Sequence, residues 1–302
     1  MSDLSVVVVT HNAGGHLERC LESVANGPHE VIVVDNASSD MTPNLVRRRF
    51  PSVRLIELPE NVGFGAANNV GMEAAAGRWY LLLNSDAWPQ TDGIERLLTF
   101  AEANPQVGVA GPRLVSPDGR VQKSVRGFPT LWRLATEYFF LRHLAPRSRL
   151  LNEFYGAGFD YRSRRPAEFL VGAVLLLRRE AVDNVGGFDP AFFMFSEEVD
   201  LCYRMRAAGW AVEFTPEAEF VHLGGASTKP IWDRMFREQL RSHLRFLAKH
   251  GSLEQAERAR RLLVAALRLR GLVFRGERRR VARAAAAWLA SATTESLLES
   301  TQ

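Results

Sequence analysis

The side chains able to act on a substrate fall at a few places in the chain. Glu197, Glu198 and Asp200 lie in FFMFSEEVDLCYRMRAAGW, where Phe192, Phe193 and Phe195 lead into two adjacent carboxylates. An apolar approach raises a carboxylate's pKa and suits it to take a proton from a hydroxyl. Successive helical side chains point about 100° apart, so Glu197 and Glu198 should serve different roles. A structural account competes: Ser196 is a good N-cap, acids suit a first helical turn, and Asp200 and Arg204, four apart, can pair. Asp86 closes LLLNSDA, and His222 stands in VHLGGAST. One carboxylate, one imidazole and substrate phosphate oxygens make a shell for Mg or Mn. Taken alone, a histidine after a strand is more commonly a hydrogen-bonded packing residue.

These residues must be positioned by the elements around them. Short β-branched or leucine-rich runs alternate with helical spacing: Val6 to Val9, Val31 to Val34, Val53 to Leu58, Trp79 to Leu83 and Val107 to Gly111. Runs apolar on both faces suit strands covered on both sides, and their alternation with helices predicts an α/β domain with a mostly parallel sheet. In such a sheet ligands bind beyond the carboxyl ends of the strands. Those ends are polar: Thr10, His11 and Asn12; then Asp35 and Asn36 with Ser38, Ser39 and Asp40; then Asn84, Ser85 and Asp86. Each alone also reads as a turn or cap residue, Asp40 as the N-cap of a helix starting at Met41. A second block follows from Glu168: a strand to Leu177, a helix from Arg179, the turn GGFDP, a helix from about Ser196 to Ala208, and short strands to His222. From Trp232 onwards the pattern is helical and arginine-rich. Gly127 to Arg165 has no clear period.

Composition removes several classes. At 302 residues, 46% hydrophobic and 24% charged, the chain is neither disordered nor fibrous. Its longest apolar run, Phe169 to Leu177, is short of the roughly 18 residues of a membrane span. The amino terminus has no basic, apolar and cleavable signal, which predicts a cytoplasmic protein. Two cysteines, Cys20 and Cys202, without CxxC spacing, predict reduced structural thiols. A dinucleotide site needs GxGxxG between the first strand and helix, but that turn is THNAGGH. The GxG from Gly63 to Gly65 follows the third strand, and no P-loop is present. Residues 231 to 302 carry fifteen Lys and Arg against seven Asp and Glu, a net +8, leaving −4 on residues 1 to 230.

Six motifs in order, VVVVTHN, VIVVDNASSD, PENVGFGAANN, LLLNSDAW, the block from GAVLLLRRE to RMRAAGW, and VHLGGAST, resemble the family 2 inverting glycosyltransferases of GT-A fold, in their bacterial rhamnosyltransferase-like branch. The resemblance runs from about Ser5 to Thr228. It implies a glycosyltransferase domain over 1–230, with a nucleotide-sugar half (about 1–112) and an acceptor half (about 113–230), before a basic helical extension over 231–302. It implies that Thr10, Asn12 and Asp35, with Asn61, Gly65, Asn68, Asn84 and Ser85, contact a nucleotide-diphosphate sugar, Asp35 toward the base. Asp86 resembles the family's metal-binding Asp, and His222 its later ligand, for Mg or Mn. Glu198 falls at the catalytic base. The chain departs from the family twice: Asn84-Ser85-Asp86 replaces the common DxD or Asn-Pro-Asp, and Glu replaces Asp at the base, so Glu197 and Asp200 stay as competitors. The implied reaction moves a sugar, with rhamnose from dTDP-rhamnose the leading donor, to a glycan or lipid-linked acceptor in cell-surface polysaccharide synthesis. A UDP-sugar donor and a non-catalytic sugar-nucleotide or glycan-binding protein remain alternatives. A nucleotidyltransferase would need a basic Gly-rich loop after strand one, where THNAGGH has none.

The tail has two readings. Leu262, Leu263, Val264, Leu267, Leu269, Leu272, Val273 and Phe274 interleave with Arg261, Arg268, Arg270 and Arg275, as in a helix lying on anionic lipid at the inner face of the cell membrane. Helices packed on the catalytic domain or a second subunit fit as well. Nucleic acid is not expected, since no aromatic stacking platform accompanies the arginines.

Overall fold

The structure, a computed structural model, describes residues 3–152, 154, 158–224 and 232–299. Gly225 to Thr228 of the last motif, and the expected boundary at residue 230, lie outside the described residues. By proximity along the backbone the chain forms two compact units, one of residues 1–125, 160–193 and 197–230, the other of 126–159, 194–196 and 231–302.

The first unit is built on strands β1 (Leu4–Thr10), β2 (Glu30–Asp35), β3 (Arg54–Glu57), β4 (Trp79–Leu83), β5 (Ala87–Pro89) and β6 (Val107–Val115). It continues with β7 (Val125–Arg126), β8 (Arg165–Pro166), β9 (Phe169–Leu170), β10 (Val174–Arg178) and β11 (Ala211–His222). The main sheet runs β3-β2-β1-β4-β10-β6-β11-β5, with β8 on β11. β3, β2, β1 and β4 are mutually parallel, and β10 runs antiparallel between β4 and β6. Every residue of β1 and β4 is buried, as their uninterrupted apolar runs require of strands covered on both faces.

Helices α1 (Gly14–Val24), α2 (Thr42–Arg49), α3 (Phe64–Ala74), α4 (Gly93–Glu102), α7 (Arg179–Val185) and α8 (Glu197–Ala207) belong to this unit, while α5 (Leu131–Tyr138) and α6 (Arg149–Asn152) belong to the other. α1 buries Leu17, Cys20, Leu21 and Val24, and α4 buries Ile94, Leu97, Phe100 and Ala101, the three- and four-residue spacing that makes one apolar face. Each such leucine contributes about 2 kcal/mol by leaving water. α8 stops at Gly209, whose φ of 90° only glycine adopts without strain. Both cysteines are buried and free, and burial pushes the Cys202 thiol up to about 12 and the Cys20 thiol upward as well, so neither is reactive.

The second unit adds α9 (Trp232–His250), α10 (Leu253–Val273), α11 (Gly276–Ser291) and α12 (Thr294–Glu299). The stretch without clear period contains α5, a 3-10 turn at Leu141–His143 and α6. Thr130 caps α5 by accepting the Arg133 N–H at 3.2 Å, a helix-start signal that the lone apolar side of α5 leaves weak. Phe128 stacks on Phe246 of α9 at 5.8 Å, and Arg270 of α10 donates to the Tyr138 and Glu137 carbonyls at the end of α5. Among the described residues no helix is long and apolar enough to cross a membrane.

Candidate functional site

β2, β1 and β4 are adjacent and parallel, so their polar carboxyl ends share one edge, and Thr10 sits opposite Asp35 in register. Asp35 is 2% exposed; its Oδ2 accepts the Ser38 N–H at 2.9 Å, while Oδ1 is buried with no hydrogen-bond partner among the described residues. Thr10 Oγ1 and Asn84 Oδ1 are in the same condition. Buried acceptors left unpaired are costly in a native fold, and three at the end of one sheet indicate a ligand rich in donors.

Asn12, expected at the ligand, is an exposed residue with φ 51° whose Oδ1 accepts from Ser39 N at 2.8 Å and Asp40 N at 3.3 Å. Its side chain shapes the loop after β2. Asp40 is not the N-cap expected of it: α2 begins at Thr42 with Met41 at the N-cap, and Asp40 one residue earlier accepts the Thr42 N–H at 2.9 Å in a turn.

The loop before α3 is tied down by Asn36. Its Nδ2 donates to Asn61 Oδ1 at 3.0 Å and to the Gly63 carbonyl at 3.1 Å, and its Oδ1 accepts from Val62 N at 2.9 Å. Gly63 has φ 91°, and a Cβ there would lie 2.4 Å from the Phe193 carbonyl oxygen. A Cβ on Gly65 would meet Phe188 at 3.0 Å and Glu197 at 3.2 Å. The GxG is therefore a close approach of chain segments. Asn68, buried, donates to the Phe64 carbonyl one turn back in α3. Asn69, which sequence reasoning did not single out, exchanges two hydrogen bonds with the Phe188 backbone at 2.8 and 2.9 Å, fixing the GGFDP turn.

Asp86 and His222 come together because β5 pairs with the end of β11, Ala87 opposite His222. His222 Nε2 lies 3.3 Å from Asp86 Oδ1, and both residues are buried. Gln122 completes the arrangement: its Nε2 donates to the His222 carbonyl at 2.7 Å, which turns its Oε1 to His222 Nδ1 at 2.8 Å. The Gln122 amide thus fixes the imidazole ring with Nε2 turned to the Asp86 carboxylate. The pair could hold a divalent ion whose other positions would be taken by phosphate oxygens and water, with Gln122 as the outer partner that orients the histidine. The SPDG turn, followed by Val121 bridged to Val115, brings Gln122 to the end of β6. That turn was the available signal for this residue.

The acidic cluster separates into distinct environments. Asp200 is fully buried, and Arg204 donates to it at 2.8 Å while also binding the Val185 and Gly187 carbonyls. Asp200 thus anchors α8 to the GGFDP turn. Glu197 is 4% exposed beneath Gly65, whereas Glu198 is partly accessible, its Cβ 3.6 Å from the position a Cβ on Gly172 would occupy. Gly172 precedes Ala173, whose carbonyl accepts the Asn84 N–H at 2.9 Å. Ser196 has φ 63° and Phe195 φ 65°, in place of the extended backbone of an ordinary N-cap.

Glycosyl transferase family 2 matches residues 5–186, and glycosyl transferase family 21 matches residues 164–295. An N-acetylglucosaminyl-diphospho-decaprenol L-rhamnosyltransferase of Mycobacterium tuberculosis is 37% identical over 74% of this chain and 77% of its own length. The rhamnosyltransferase WbbL of Escherichia coli is 21% identical over 81% of this chain and 92% of its own. Among solved structures, the mannosyltransferase PcManGT of Pyrobaculum calidifontis, in complex with GDP-Man and Mn2+, superposes with a TM-score of 0.56 at 18% identity, covering 98% of this chain and 84% of that one.

Proposed function

The chain belongs to glycosyl transferase family 2 and has its GT-A fold, and on that premise we propose that it transfers a sugar, rhamnose from dTDP-rhamnose, with inversion, to a glycan or lipid-linked acceptor in cell-surface polysaccharide synthesis. The observation that carries the reading is the trio of buried, unspent acceptors at Thr10, Asp35 and Asn84 beside the Asp86–His222 pair. Asp35 Oδ1 would accept an N–H of the base, and Thr10 and Asn84 would receive donors of the nucleoside and sugar. A relative named for transfer to a diphospho-decaprenol glycan supports both the sugar and a lipid-linked acceptor, which would place the chain at the inner face of a membrane.

Asp86 and His222 would hold Mg or Mn, which supplies positive charge for the leaving diphosphate. Glu198, partly accessible where Glu197 is buried and Asp200 is committed to Arg204, would take the proton from the acceptor hydroxyl as its oxygen attacks the anomeric carbon from the face opposite the leaving group. A single displacement needs no covalent enzyme intermediate.

The test is product analysis. With dTDP-rhamnose, Mn and a polyprenyl-diphosphate N-acetylglucosamine acceptor, proton NMR should show a rhamnoside of anomeric configuration opposite to the donor's. Retention of configuration overturns the mechanism, and transfer only from a UDP-sugar overturns the donor.

A further inference from the structure

The helical unit carries a surface that neither the fold nor the transfer chemistry uses. Of the nine large hydrophobic residues exposed among the described residues, seven belong to this unit, among them Leu144, Leu269, Leu272 and Val273. Leu144 is 78%, Leu272 73% and Val273 62% exposed. On α10 the buried residues Ala259, Leu263, Ala266, Leu267 and Gly271 form one face. Ala265, Leu269 and Leu272, spaced four and three apart, lie on the opposite side at helical periodicity, and Val273 at the last residue of the helix is exposed as well. The carboxyl end of α10 is thus apolar on two sides, with only one of them covered. Phe140 packs edge-on against Phe274 at 5.4 Å, and Arg270 lies over the Tyr138 and Phe140 rings, which brings the start of the 3-10 turn to this same end.

Charge identifies what covers it. Arg258, Arg261 and Arg280 are paired with Glu254, Glu257 and Asp233. Arg268, Arg275, Arg278 and Arg279, around the apolar tip, are exposed and make no ion pair among the described residues. Between residues 264 and 282 the only acid is Glu277 against six arginines. A protein partner would demand individually matched carboxylates. A diffuse cationic rim around protruding leucines instead complements a sheet of anionic headgroups over hydrocarbon.

We propose that the α10 tip, with Leu272 and Val273 inserted and Arg268, Arg275, Arg278 and Arg279 around them, docks the chain on an anionic membrane surface. The seat is the end of α10 and the neighbouring 3-10 turn, since the other apolar face of α10 is core. The inference stands apart from the transfer reading, because it rests on the helical unit alone.

The experiment is vesicle co-sedimentation of the full chain with phosphatidylcholine alone and with added phosphatidylglycerol, at low and high salt. Binding should require phosphatidylglycerol and weaken at high salt as the headgroup attraction is screened. Leu272→Glu with Val273→Glu should lose about tenfold or more of it, while Met41→Glu, at an exposed apolar residue of the other unit, should not. Thermal melts check that each variant folds. Equal binding to neutral vesicles, or undiminished binding by the folded double variant, overturns the proposal. So does a dimer in light scattering that the double variant abolishes without any vesicle binding, which would make this face a contact between copies.

Discussion

At the ends of β1, β2 and β4 the sheet-bearing unit holds buried acceptor atoms with no hydrogen-bond partner among the described residues, on Thr10, Asp35 and Asn84. At the end of α10 the helical unit holds cations in solvent, Arg268, Arg275, Arg278 and Arg279, beside exposed leucines. The first arrangement costs stability unless a small donor-rich molecule fills it; the second costs nothing in water and acts only against an extended anionic surface. The acidic cluster divides as well: Asp200 is fully buried and spent on Arg204, and Glu198 is half-buried.

Breaking that last contrast should give the largest effects. Glu198→Gln is expected to lower kcat by about 10²–10⁴ with an unchanged melting temperature and nearly unchanged donor affinity by calorimetry. Asp200→Ala should do the reverse, destabilising the fold by about 3–5 kcal/mol in urea titration because the largely buried Arg204 charge loses its carboxylate and keeps only neutral carbonyl partners, while the remaining folded protein still transfers sugar. A loss of kcat in a stable Asp200→Ala protein would exchange the two roles.

The helical unit has its own buried polar group to set against the strand ends. Burial, with Arg126 nearby, pushes the His243 imidazole from 6.5 down to about 4, and its Nδ1 has no partner among the described residues. A group whose folded pKa is depressed gives its full contribution above its unfolded value and loses it as pH falls through the folded one. Stability should therefore drop by about 3 kcal/mol between pH 6.5 and 4 on account of this residue. His243→Leu should flatten urea midpoints across that window relative to the unaltered chain. A smaller effect is expected at the outer partner of the metal pair: Gln122→Ala should weaken Mn-dependent donor binding by about 10–100-fold and leave binding measured without metal unchanged.

The strands were legible because β1, β2 and β4 are apolar on both faces, and their polar ends were legible because ligands in such sheets gather there. The Asp200–Arg204 pair followed from helical spacing alone. Other features depended on long-range pairing. Nothing in type or spacing shows that β10 runs backwards between β4 and β6, or that Asn12 turns to Ser39 and Asp40. Gln122 becomes meaningful only because β11 pairs in register with β6, and Gly63 because Phe193 crosses it. Residues 126–159 show no period since their short helices α5 and α6 complete a unit whose other members lie a hundred residues on.

The central claim, that the ends of β1, β2 and β4 hold a metal-assisted nucleotide diphosphate, is tested most directly by thermal shift with dTDP, UDP, GDP, ADP and NAD, each with and without Mn. A ligand at a hundredfold excess over its Kd should add about 2.7 kcal/mol of stability. The account predicts a shift with dTDP, enlarged by Mn and reduced in Asp86→Asn. A shift with NAD alone, or none with any nucleotide, would contradict it.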